Sequence, residues 1–141
     1  MTQVQSLWPD TLGKINVSPP VQILAGQAEY FNALVKNVLI AKVTSHTENN
    51  GWSAPAMGGN IYYRLQIQVP AINYVLNVLT MHHHGLKDLY PVKLYDAIRD
   101  KEFEGIPDQQ ALIGKLRDIL SSHELDVTIS SLLSQIEYLA A

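Results

Sequence analysis

The chain contains no cysteine. Disulfides, thiolate nucleophiles and cysteine-based zinc or iron-sulfur sites are therefore excluded, and a reducing compartment is the default expectation. Charge is sparse as well, with 10 basic residues against 13 acidic ones and a formal net charge of −3. No stretch gathers Lys or Arg into the stripe that phosphate neutralisation requires, so no nucleic-acid partner is expected. No run approaches the roughly 20 apolar residues that span a bilayer. The start, Met1-Thr2-Gln3-Val4-Gln5, lacks the basic and then apolar segments of a signal peptide. A cytoplasmic protein without a membrane partner is the expectation. Internal repeats, low-complexity tracts and long heptad runs are missing too.

What is present describes an ordinary globular chain. The 141 residues fit one domain, and 47% apolar against 16% charged residues is enough to offset the entropy of ordering. Residues 1–17 carry Trp8, Pro9, Leu12, Ile15 and Val17 without a period, which suggests an extended arm held by a few anchors. A single α+β domain is expected over 18–141.

That domain opens with a helix. Ser18 suits an N-cap and Pro19 the first helical position, and Val21, Leu24, Ala28, Phe31 and Val35 draw one apolar stripe to an end near Lys36 or Asn37. A strand is expected over 38–46, with Leu39, Ala41 and Val43 on one face and Lys42 and Thr44 on the other. Residues 47–60 then have the composition of a long loop, including Trp52. Ile61, Tyr63, Leu65, Ile67 and Val69 alternate with Tyr62, Arg64, Gln66 and Gln68, a strict period of two. A turn at 70–73 leads to a third strand over 74–82, less regular in its alternation. Residues 83–88 break it, and 90–98 form a fourth strand. Connections this short imply an antiparallel meander of four strands in a curved sheet, since a parallel crossover needs a dozen or more residues.

The remainder reads as a helical pair. Pro107 and Asp108 suit a first turn before Leu112, Leu116, Ile119 and Leu120, and Ser121 with Glu124 has the spacing of a capping box that starts a second helix. In that second helix Leu125, Val127, Ile129, Leu132, Leu133, Ile136 and Leu139 cover more than one narrow stripe, which predicts burial on two sides and self-association. Between sheet and helices, Asp96, Asp100, Glu102 and Glu104 mix with Arg99 and Lys101 in what reads as a solvated connection.

Residues able to carry chemistry are few. His82 and His84 point the same way along a strand and His83 the opposite way, so the outer two are spaced to share a metal, with His46 or Asp88 as the third ligand. The spacing matches no established metal motif, and no metal or other cofactor is implied. Ser45-His46 and Ser122-His123 are sequence neighbours without the context of a triad, and Gly58-Gly59-Asn60 lacks the Lys and Ser/Thr of a phosphate loop. More suggestive is the sheet face that bears Tyr62, Arg64 and Gln66, where stacking and hydrogen-bonding groups share one row. Trp52 in the long loop is a second exposed-aromatic candidate.

Three functions follow in order. The first is a non-enzymatic interaction or accessory protein that binds another protein or itself through a sheet face or the loops at 47–60 and 83–88. The second is a small-molecule-binding protein or enzyme whose pocket between sheet and helices uses Tyr62, Arg64, His82, His84 and Tyr90. Metal-dependent hydrolysis through the His82 to His84 cluster is the third.

Overall fold

A computed structural model describes residues 5–13, 18–48, 60–85 and 89–140. Helix α1 spans Pro20–Leu34, followed by strands β1 (Ile40–Glu48), β2 (Asn60–Val69), β3 (Tyr74–His84), β4 (Val92–Asp96) and β5 (Lys101–Ile106), then helices α2 (Gln109–Leu120) and α3 (His123–Ala140). The strands form one antiparallel sheet in the order β1-β2-β3-β4-β5. The chain is therefore α+β with a meander, but with five strands where the sequence predicts four.

The extra strand lies in the segment expected to be a solvated connection. Lys101, Glu102 and Glu104 are exposed, and the inward positions Phe103 and Ile106 are three residues apart, which conceals a period of two. A bulge accounts for that spacing. Leu94 pairs with Phe103 and Val92 with Ile106, so Lys93 alone stands opposite Glu104 and Gly105, and Gly105 at φ +66° absorbs the extra residue. A second bulge explains the irregular alternation of β3. Leu65 pairs with Leu79 but Gln66 with Asn77, leaving Val78 as the added residue, and both Val78 and Leu79 are fully buried.

Element ends differ from expectation in small ways. Pro19 is the N-cap of α1 and Pro20 its first residue, with no side-chain cap, so the serine expected to cap the helix does not. The helix stops at Leu34 because Lys36 and Asn37 both take positive φ. Strand β3 runs through His84, past the expected break, and β4 starts only at Val92. Asp108 caps α2 by accepting a hydrogen bond from the Ala111 N-H at 2.8 Å. The cap of α3 falls on Ser122, whose hydroxyl accepts from the Leu125 N-H at 3.3 Å, while the Ser121 hydroxyl bonds back to the Arg117 carbonyl. The expected pairing of Ser121 with Glu124 is thus displaced by one residue.

One core joins all three helices to one face of the sheet. Leu24 and Ala28 of α1, Leu112, Leu116 and Ile119 of α2, and Leu125 and Leu132 of α3 pack with Ala41, Leu65, Ile67, Leu79, Met81 and Leu94. Two polar devices fix the helices to the sheet. Ala41, on edge strand β1, turns its N-H and carbonyl away from β2, and the Asn32 amide takes up both, at 2.6 and 3.1 Å. Such a side chain closes part of an otherwise open edge. At the other end Asp96 is fully buried, with Oδ1 accepting from the N-H groups of Ile98 and Arg99 and Oδ2 from Arg99 Nε at 2.6 Å. Arg99 Nη2 in turn donates to Asp118 of α2 at 3.1 Å, so the β4-β5 turn is pinned to the helix behind it.

Replacement of Asp96 leaves two backbone N-H groups and a guanidinium without their acceptor inside the fold. Asp96→Ala is expected to lower the unfolding free energy by about 3 kcal/mol, and Asp118→Ala by much less because that carboxylate is more than half exposed. Urea denaturation of the two variants checks the order.

Candidate functional site

The face of the sheet away from the helices carries the polar halves of the alternating strands. Strand register assembles them into rows. His46 lies opposite Tyr62 and Tyr62 opposite His82, with Lys93 next along the same line. Beside it runs a second row of Thr44, Arg64, Thr80, Tyr95 and Glu102, and Asn60 faces His84 at the end of β2. Each row exists because side chains on one face recur every second residue and neighbouring strands hold them in step.

The first row is a stack of rings. Tyr62 lies 4.7 Å from His82 and 6.4 Å from His46 between centroids, at tilts of 31° and 35°. His84 meets His82 edge-on at 5.0 Å. The Asn60 amide oxygen is 3.1 Å from His82 Nε2, which requires that nitrogen to carry its proton and donate. At the far end Lys93 pairs with Glu104 at 3.3 Å and Glu102 at 3.6 Å, and the hydrogen bond to Glu104 pushes its amine above the ordinary value. The exposed Arg64 guanidinium sits next to Tyr62 without an ion-pair partner among the described residues. Thr44, His46, Tyr62 and Arg64 line a depression of about 530 Å³ on this surface.

The sequence candidates divide accordingly. Tyr62, Arg64, Gln66, His82 and His84 share the outer face, with Gln66 donating to the Asn77 side chain at 2.8 Å. Tyr90 does not join them. It packs against the core on the helix side, where burial, and secondarily the Asp108 carboxylate, raise its hydroxyl above the ordinary value. Tyr90 thus stands apart from Tyr62 and Arg64, with the sheet between them. Trp52 lies outside the described residues, as do the loop positions 49–59 and 86–88, Asp88 among them. Among the described residues no group of three or more His, Asp or Glu side chains is placed to hold a metal ion. Also among them, no helix is long and apolar enough to cross a membrane. Asn60, Thr44 and Lys93 were not singled out by sequence reasoning. Their membership depends on cross-strand register, which no single strand encodes.

His83 points the other way and is 1% exposed. Its Nδ1 lies 3.0 Å from the Gly85 carbonyl, which fixes Nδ1 as the donor and leaves Nε2 as a bare acceptor, without a partner among the described residues. The Tyr63 ring stands 5.5 Å away, and burial raises the Tyr63 hydroxyl. The Tyr90 hydroxyl is the other buried polar group left without a partner there. Burial lowers the affinity of His83 for a second proton, against smaller opposing contributions from the Gly85 and His84 backbone.

The unfolded chain binds that proton near pH 6.5 and the folded chain only at lower pH. The stability conferred by neutral His83 is complete above about 6.5 and is lost as the pH falls from there through the lowered folded-state value. Unfolding free energy is therefore expected to fall between pH 7.5 and 5.5, with a shallower fall in His83→Leu, as read by urea titrations at the two pH values. No family model matches the sequence, and neither a curated protein nor a solved structure matches it.

Proposed function

We propose that the protein is a non-enzymatic interaction module that docks another protein on the outer face of its sheet. The observation that carries this is the placement of Tyr62 and Arg64 side by side on a face that none of the described helices covers. Tyrosine and arginine are the side chains that most often anchor protein interfaces, since each combines a large apolar surface with a polar tip. Around them His46, His82 and His84 supply flat rings, and Thr44 and Asn60 supply short polar groups, a composition suited to adaptable contact. The guanidinium, which has no ion-pair partner among the described residues, favours a partner that presents a carboxylate, which Arg binds through two parallel hydrogen bonds.

A binding surface accounts for these residues better than a reaction does. Among the described residues the depression is lined by Thr44 and His46 of β1 and Tyr62 and Arg64 of β2. Those four side chains do not include the nucleophile, base and orienting group of a triad.

Arg64→Glu and Tyr62→Ala are expected to abolish the complex, Arg64→Glu leaving unfolding free energy within about 0.5 kcal/mol of the parent and Tyr62→Ala, which removes a stacked cross-strand ring, lowering it by about 1 kcal/mol. Native mass spectrometry of the tagged chain released from gently lysed cells reads the complex directly. A defined heteromeric species present with the parent and absent with both variants supports the proposal. Retention of that species by both variants, or a bare chain carrying a small organic ligand, overturns it.

A further inference from the structure

We infer that the arm of one chain inserts Trp8 into the apolar cavity between α1 and α3 of a second copy, giving an arm-exchanged dimer. The inference does not depend on the sheet-face proposal, because it uses the opposite side of the molecule.

Two unsatisfied features of the same chain meet in it. On the arm, Leu7, Trp8 and Leu12 are 89%, 72% and 61% exposed, although they stand within six residues of one another. Among its described residues, 5–13, the arm has no helix or strand to bury them, and holds a turn in which the Leu12 N-H donates to the Pro9 carbonyl at 3.0 Å. On the body, a cavity of about 180 Å³ opens between α1, α3 and the inner sheet face, lined by Phe31, Leu34, Leu65, Ile67, Leu125 and Ile129 among others. A cavity of roughly 150 Å³ with such a lining admits a benzene ring and stays dry when empty. The space therefore matches an aromatic side chain in size, and its lining is mainly apolar.

The lining also discriminates among aromatics. Gln27 and the Tyr30 hydroxyl are its polar side-chain groups, and a buried indole N-H needs an acceptor of that kind. In the lining Tyr30 and Leu34 are 69% and 81% exposed, a largely apolar border on which Leu7 and Leu12 can rest beside the inserted ring. As folded, a single chain does not use its own arm for this, since Trp8 remains mostly in solvent. A second copy has both an arm to give and a cavity to fill. Reciprocal exchange about a two-fold axis satisfies both chains at once, the commonest symmetry of protein pairs. Twelve residue steps separate Trp8 from Pro20, a reach of up to about 40 Å when extended, so length does not forbid the crossing.

Sedimentation velocity of the full chain over a range of concentrations tests this. The parent is expected to dimerise, and Trp8→Ser to weaken the dimer by about thirtyfold or more, the loss of a central anchor. Ile129→Trp, which fills the cavity from its own side, is expected to do the same. An equimolar mixture of the two variants retains one intact arm and one intact cavity in a mixed pair, so partial recovery of dimer is expected and also shows that both variants fold. A parent that is monomeric at every concentration, a dimer indifferent to Trp8→Ser, or no recovery on mixing overturns the inference.

Discussion

Apolar side chains in this protein have one face of one sheet to bury themselves against, and everything else follows from that. Removal of apolar surface from water contributes roughly 25 cal/mol per Å², so a strand whose side chains alternate is sorted into an inward and an outward half with little freedom of register. Strand β2 is the strictest case, with Ile61, Leu65, Ile67 and Val69 all within 6% of complete burial. Once β2 is fixed, its neighbours must match it. Three amphipathic helices then cover the inward half, and the outward half keeps its polar and aromatic groups in rows set by the same register.

How much of this was visible in the sequence varied with the strength of its periodicity. Helix α1, β2, the turn at Pro70–Ile72 and both C-terminal helices follow from patterns that a period of 3.6 or 2 describes well. Strand β5 does not. Its bulge at Gly105 moves Ile106 to the third position after Phe103, and its exposed charges resemble a loop. A bulge is a tertiary accommodation, so no local propensity announces it. The outer face was legible as a face, since Tyr62, Arg64 and Gln66 share a parity. Its breadth was not, because the joining of His46 to Tyr62 and of Tyr62 to His82 depends on which residues the strands place opposite one another. Tyr90 has the parity of Val92 and Leu94, and it packs on the core side with them.

Two buried polar groups show how the same interior treats satisfied and unsatisfied side chains. Both carboxylate oxygens of Asp96 accept from named donors, and through Arg99 it ties the sheet to α2. Low local dielectric strengthens such a network. His83 has one nitrogen engaged and the other bare, so the same burial works against it whenever a proton is offered. One site ties the sheet to α2, and at the other burial opposes protonation.

The sheet has a covered side and an open side. NMR of the isolated chain with a soluble paramagnetic probe measures this residue by residue, because signals broaden with access to solvent. Side-chain signals of Arg64 and His84 are predicted to broaden strongly, Tyr62 to an intermediate degree, and those of Leu65, Met81 and His83 hardly at all. Protection of Arg64 and Tyr62 equal to that of Leu65 would mean that the chain covers its own outer face, and would contradict the account.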